Sequence, residues 1–342
     1  MNLNLIEAIE ELEEEKGIPK EDVLVALEQA LKTAYKNNFG GNKNVDVEID
    51  RVTGDVKIFQ LLNVVEGKPV DNSEISLEEA LTIQPDAKVG DIIRRPLELK
   101  DFGRIAVQTA RQVLIQKIRD FEKENLFKKY SEMVGSVTTA EVMRVTDRWA
   151  DVRVGKIETR LLKRDWIYGE QLKQGSLIKV YIVNVTRAGK SPRIFVSRAV
   201  PEFVIELFKL EVPEIEQGIV EIKAIAREPG VRTKIAVVSN NPNVDPVGAC
   251  IGEGGSRISA VLRELKHERV DVVRWSPDPL EFIANALSPA RVADVRILDE
   301  RTKSARVLVA PSELSVAIGK GGQNARLAVK LTGWKIDIKA VM

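Results

Sequence analysis

At 342 residues the chain exceeds what one ordinary core organises, so two to four domains are expected. A 44% hydrophobic and 30% charged composition fits globular domains, and no apolar run approaches the ~20 residues that cross a bilayer. The net charge of +1 hides an alternation: residues 1–134 carry −7, 135–200 carry +7, 201–284 carry −4 and 285–342 carry +5, so a polyanion is expected on the basic stretches and a different partner on the acidic start, unless these are simply solvated faces.

In chain order, Leu3, Leu5, Ile6, Ile9 and Leu12 fall on one helical face that breaks at Gly17 and Pro19. Leu24, Leu27 and Leu31 predict a second helix, and Val45–Ile49 and Val56–Phe59 predict strands joined by the turn Thr53-Gly54-Asp55. Asp101 is placed to cap a long helix from about Phe102 to Met133, with Ile105, Thr109, Leu114, Ile118 and Phe121 on its buried side. The first domain, 1–134, is therefore mixed α and β.

From Gly135 the texture changes to short strands about every ten residues: Ser136–Arg144, Trp149–Val154, Ile157–Leu162, Leu177–Val185 and Arg193–Ser197. Five such strands in 135–200 suit an OB barrel, a fold that binds single strands through a basic groove and stacking aromatics. Arg148, Arg153, Arg160, Lys163, Arg164, Arg193 and Arg198 are candidates for that groove; Trp149 and Tyr181 are open to either base stacking or core packing. Pro201 starts a helix that Pro213 stops, with no Gly/Ser linker, so a stiff connection from the barrel to the next module is expected.

Two glycine loops then recur, Gly252-Glu253-Gly254-Gly255 and Gly319-Lys320-Gly321-Gly322. Each lies between an apolar segment and an amphipathic one, and each is closed by a strand-like run, Val270–Val273 and Lys335–Ile338. A lone Gly-x-x-Gly is also what a tight interhelical turn looks like; the duplication in one frame is the pattern of KH modules, here 201–276 and 277–342, whose loops clamp the backbone of single-stranded nucleic acid. Glycine lets phosphate approach without a Cβ, and the helix start after each loop directs N–H groups at it. Lys320 can pair with a phosphate and Glu253 repels it, so the second loop is expected to be the stronger contact. Arg257, Gln323, Asn324 and Arg326 flank the loops as further RNA-binding candidates.

No catalytic set is expected. The Walker pattern is absent, since glycine and not a hydroxyl residue comes after Gly319-Lys320. One cysteine, Cys250, and one histidine, His267, leave no disulfide and no Cys/His zinc cluster, and Met1–Glu7 lacks signal-peptide character. A reducing cytoplasm without metal or cofactor is the expected setting. Cys250 reads as a small core residue, His267 as exposed, and Trp275 and Trp334 as structural.

The sequence resembles the NusA family of bacterial transcription factors along essentially its whole length. The match is carried by Asp101-Phe102-Gly103-Arg104-Ile105-Ala106, by Ser197-Arg198 with Pro201-Glu202, by Glu211-Val212-Pro213-Glu214-Ile215, by Asp245-Pro246-Val247-Gly248-Ala249-Cys250, and by Ala317-Ile318-Gly319 with Gly322-Gln323-Asn324. The resemblance implies a multidomain α+β protein: a polymerase-binding N-terminal domain, an S1-type OB barrel and two prokaryotic-type (type II) KH domains packed as one rigid unit. It implies binding to RNA polymerase near the RNA exit channel, with Arg104 a weaker candidate for contacting RNA there. It also implies binding of nascent RNA, including ribosomal RNA leaders, and roles in pausing, termination and antitermination with other antitermination factors. A monomer without membrane contact is expected. Where many S1-type barrels carry two aromatics and a histidine, this chain has Arg148, Asp151 and Lys163, so charge pairing is expected to replace stacking. The acidic repeats that some relatives carry after the second KH domain are not expected, because the sequence ends at Met342. The alternative is the accessory end of an RNA-processing enzyme such as polynucleotide phosphorylase, in which KH precedes the barrel; here the barrel comes first.

Overall fold

The computed structural model describes residues 4–39, 44–97, 102–189 and 191–341, and Asp101, the expected helix cap, lies outside them. The chain forms two compact units that divide between Asn125 and Leu126. Among the described residues no helix is long and apolar enough to cross a membrane.

The first unit contains α1 (Asn4–Lys16), α2 (Lys20–Phe39), β1 (Val45–Ile49), β2 (Val56–Val65), β3 (Glu74–Ser76), α3 (Leu77–Ile83), β4 (Ile92–Pro96) and most of α4 (Gly103–Glu132). β2 is the axis of its sheet: β1 and β4 pair with it antiparallel and β3 parallel. Strict alternation along β2 turns Val56, Ile58, Gln60, Leu62 and Val64 inward. One end of β2 packs with Ile9, Leu24, Leu27, Leu31 and Phe102, the other with Ile75, Ala80 and Ile93. Residues 60–97, for which periodicity predicts no element, supply the end of β2 and all of β3, α3 and β4. On the part of α4 that belongs to the first unit the buried positions are Ala106 and Ala110, while Ile105, Leu114, Ile118 and Phe121 are only partly covered. Small side chains let this helix approach closely, and a search for large apolar residues passes over them.

The second unit begins with the last turns of α4, whose Leu126, Phe127 and Tyr130 join the core of a five-stranded sheet. The Tyr130 hydroxyl donates to the Val154 carbonyl at 2.9 Å and accepts from the Lys156 amide at 3.2 Å. Strands β5 (Val137–Val145), β6 (Trp149–Val154), β7 (Ile157–Leu162), β8 (Leu177–Thr186) and β9 (Arg193–Ser197) run in the order β7-β6-β5-β8-β9, all antiparallel. The Thr159 hydroxyl of β7 donates to the Ile194 carbonyl of β9, which brings the two edges together into a nearly closed barrel.

Two similar modules complete the unit. The first has α5 (Pro201–Glu211), α6 (Pro213–Glu216), β10 (Val220–Glu228), β11 (Arg232–Ser239), α7 (Pro246–Ile251), α8 (Ser256–Leu265) and β12 (Arg269–Arg274). The second has α9 (Pro279–Ala286), β13 (Val292–Asp299), β14 (Ser304–Val309), α10 (Leu314–Ile318), α11 (Gln323–Thr332) and β15 (Lys335–Ala340). In each the first two strands pair antiparallel and the last joins the second in parallel. Proline at the first turn of α5, α7 and α9 fits a position whose N–H has no helical partner. Asp245 and Asp278 cap α7 and α9 by accepting from Gly248 at 2.9 Å and Leu280 at 3.0 Å.

The second unit is continuous. Ala226, Ala236 and Val273 of the first module share one core with Ile283, Val307 and Leu327 of the second. Lys234, wholly buried, donates to Asp271 at 2.8 Å and to the Ser288 carbonyl across the junction at 2.6 Å, and burial lowers its pKa against the pull of Asp271. Ile167 of the barrel packs with Phe203, Leu207 and Phe208 of α5, whose complete burial stabilises the joint by roughly 1.5–3 kcal/mol per side chain.

Candidate nucleic-acid interface

The two glycine loops have the same backbone. Gly252 and Gly319 sit at φ/ψ 75/167 and 75/166, Gly254 and Gly321 at 59/18 and 60/23, and Gly255 and Gly322 at 76/18 and 74/14. A Cβ on Gly319 would lie 2.9 Å from the Asn324 backbone nitrogen, and one on Gly252 would lie 2.7 Å from Arg257, so the first glycine of each loop is enforced by the helix packed against it. Gly254 and Gly321 meet nothing within 4 Å and face open space.

Hydrogen bonding shows which amides remain. Gly252 donates to Gly248, Gly255 to Gly252, Gly319 to Ser315 and Gly322 to Gly319, all at 2.8–3.0 Å. The Ser256 and Gln323 amides close 3-10 turns onto Glu253 and Lys320. Among the described residues the amides of Glu253, Gly254, Lys320 and Gly321 donate to no side chain and to no carbonyl outside the helices. The expected donors at the helix starts are thus partly consumed, and the donors left as candidates for a ligand in each loop are the inner two.

The electrostatic settings differ. The first loop opens into a cleft lined by Glu214, Asp245, Glu253 and Arg257. Arg257 is committed there: it donates to Glu214 at 2.8 Å and to the Ala249 carbonyl at 2.7 Å. The second loop lies in a cleft with Arg232, Arg269, Gln323 and Arg326. Arg326 donates to the Gly321 carbonyl at 2.6 Å and pairs with Glu228 at 3.2 Å, while Arg232 is held by Asp271. Exposed Arg269, from the first module, is a member of this cleft that the loop motif does not reveal, because it lies about 50 residues upstream of Lys320. Asn324 is corrected to a structural role: it is fully buried and donates to the Leu287 and Ala317 carbonyls at 2.9 and 3.1 Å. Cys250, behind the first loop, is buried and its thiol is pushed up to about 12 by that burial, so it stays a protonated core residue at neutral pH.

Models of known families match three stretches: the NusA N-terminal domain at residues 4–124, the NusA-like first KH domain at 198–275 and the NusA-like second KH domain at 279–341. The transcription termination/antitermination protein NusA of Bacillus subtilis is 46% identical over 340 residues, covering 99% of this chain and 91% of that protein. The chain belongs to the NusA family. The NusA proteins of Thermus thermophilus and Rickettsia prowazekii are 44% and 38% identical, with 90% and 67% of their lengths covered.

In this NusA family member the barrel brings Arg148 and Lys163 together, since the Lys163 amide donates to the Arg148 carbonyl at 2.8 Å, and both side chains are exposed. The Lys163 ammonium rests over Trp166, 3.6 Å from the ring centre. Asp151 pairs with Arg144 at 3.2 Å and Arg160 at 3.5 Å. Neither aromatic considered for stacking has a free ring: the Arg160 guanidinium covers Trp149 at 4.9 Å, and Tyr181 packs against the α5 core, where burial raises its hydroxyl pKa. Arg198 is the second correction. Its side chain is 0% exposed and binds Glu170 at 3.0 Å and Glu264 at 2.7 Å at the floor of a cleft between barrel and KH module, so its charge is spent tying the two together. Arg104, on the first turn of α4, is exposed. Among the described residues the exposed aromatics are Tyr168 and Phe195, and alternation within a strand is the signal that would have found Phe195.

Placing a cation in the first loop should test the contrast between the two. Glu253→Lys is expected to tighten single-stranded RNA binding and to steepen its salt dependence by about 0.7 in log–log slope, the release accompanying one more phosphate contact. Filter binding over a salt series checks this.

Proposed function

We propose that this protein is a non-catalytic, cytoplasmic transcription elongation factor that binds RNA polymerase and nascent single-stranded RNA and modulates pausing, termination and antitermination. The observation that carries the RNA half is the pair of glycine loops with the same backbone and an open middle glycine, where a phosphate can approach the main chain without a metal or cofactor. The names of the relatives support the transcriptional half. We assign the work to four modules, 1–134 to the polymerase, with Arg104 near the emerging RNA, and 135–200, 201–276 and 277–342 to RNA. Arg148, Lys163, Lys320 and Arg326 supply charge, with Gly252–Gly255, Arg257 and Gly319–Gln323 shaping the phosphate path. Phosphate contacts set the register of the strand and base edges on the KH sheets supply preference.

The test has two arms. The full chain is expected to co-elute with core RNA polymerase, and a chain lacking the N-terminal domain is not. Its affinity for single-stranded RNA is expected to fall linearly with salt on logarithmic axes, by about 0.7 per neutralised phosphate. A flat salt response, or co-elution that survives the deletion, would contradict the assignment.

A further inference from the structure

The barrel closes where β7 meets β9. The two strands lie at opposite ends of the hydrogen-bonded order, so their facing edges form no ladder and are joined by the Thr159 hydroxyl on the Ile194 carbonyl. Along this seam runs a groove of about 750 Å³ lined by Lys156, Thr159, Arg160, Leu162, Arg193 and Phe195. Phe195 is 43% exposed and Leu162 37%. Both lie on the outward phase of their strands, since Ile194, Val196 and Leu161 beside them are buried. A half-exposed phenyl ring on a strand is not there to complete the core, which the inward residues already fill.

Charge decides what would cover it. Three cations, Lys156, Arg160 and Arg193, line the groove with the ring against one lining carboxylate, Glu158, and the Arg148–Lys163 pair follows Leu162 at its edge. An aromatic face flanked by cations matches a base stacked on the ring with its phosphates on either side. The strand edges add unpaired main-chain groups that can meet the edge of a base. Arg160 already has Asp151 at 3.5 Å, and an apolar protein segment would leave Lys156 and Arg193 without an anion.

We propose that Phe195 is the stacking platform of the barrel and takes one unpaired nucleobase of single-stranded RNA, with Arg160 and Arg193 on the flanking phosphates. The site moves the aromatic function of the barrel from the β6 face, where Arg160 already covers Trp149, to the closing seam. This inference rests on the proposed RNA-binding function and goes further, because it assigns base recognition to a surface where charge pairing alone was expected.

The test uses the full chain, a single-stranded RNA oligonucleotide and the same oligonucleotide made abasic. Phe195→Ala is expected to weaken binding of the intact RNA by roughly five- to a hundredfold, the range for loss of one stacked base, and to leave abasic binding unchanged. Phe195→Trp is expected to restore binding, which a misfolded barrel would not. Photocrosslinking of 4-thiouridine RNA to the unmutated chain should label the Arg193–Ser197 strand. Parental affinity in Phe195→Ala, or crosslinks only elsewhere, overturns the site while leaving RNA binding standing. Unchanged RNA affinity with loss of polymerase co-elution assigns the groove to a protein and also overturns it. No RNA binding by the unmutated chain would defeat both this inference and the function it rests on.

Discussion

Replacing Lys320 and Gly321 together by aspartate is expected to remove most single-stranded RNA binding without unfolding the second KH module. The change turns one positive charge into two negative ones at the open middle of the loop. Charge-assisted hydrogen bonds of this kind contribute about 1.5–3 kcal/mol each, so losing Lys320 and repelling the phosphate should cost about 2–3 kcal/mol, roughly 30- to 150-fold in affinity. The fold should persist, because Lys320 is exposed and a Cβ at Gly321 meets nothing within 4 Å. The φ of 60° at Gly321 imposes some strain, which Asp and Asn tolerate better than most residues. A Lys320→Gln, Gly321→Asn variant carries the same strain without the negative charges. Filter binding should rank parent, neutral variant and aspartate variant in that order. If the aspartate variant binds as the parent does, the loop is a turn and not a clamp.

The same substitutions in the first loop should do less. Glu253 already places a carboxylate there, Glu214 engages Arg257, and Asp245 lines the cleft. The two loops are alike in backbone and unlike in field, so the second dominates at low salt and their contributions converge as salt rises.

How much of the fold is legible in the sequence depends on the range of the interactions involved. The glycine loops, the helix Pro201–Glu211 and the five barrel strands are set by local pattern, and their expected bounds differ from the structure by a residue or so. The hairpins β10–β11 and β13–β14 escape a reading by periodicity. Their alternation is blurred, because β11 is buried on both faces, Ala236 in the core shared with the second module and Ile235 and Val237 in the core with α5, while β13 is exposed at most of its positions. Residues 74–76 and 92–96 form strands of three and five residues, the second rich in arginine and ending in proline, which carry little periodic signal. Site residues divide the same way. The glycines and Lys320 are recognisable from spacing. Asn324 and Arg198 look like surface polar groups until the chain folds over them, since their partners are distant: Leu287 for the amide, Glu170 and Glu264 for the guanidinium. Phe195 lies in an ordinary strand, and only the open seam beside it gives the ring a purpose.

Arg198→Ala is expected to destabilise the second unit by about 3–5 kcal/mol, the cost of breaking a buried ion pair from one side. The guanidinium lies between Glu170, whose side chain is 2% exposed, and Glu264, and it also donates to the Lys179 and Glu264 carbonyls. Removing it strands the buried Glu170 carboxylate and takes a donor from the Lys179 and Glu264 carbonyls. An exposed pair gives the contrast: Arg274 and Asp245, each more than half exposed at 2.6 Å, should contribute no more than about 1 kcal/mol when Arg274 is truncated. Urea unfolding of the full chain, monitored through the second-unit transition, distinguishes the two. A second readout separates structure from RNA contact. In Arg198→Met, which keeps the stem of the side chain, the salt slope of RNA binding measured below the unfolding range should equal that of the parent, whereas a phosphate-binding arginine would lower it by about 0.7. A reduced slope with unchanged stability would return Arg198 to the RNA surface and show that the barrel and the first KH module open around it.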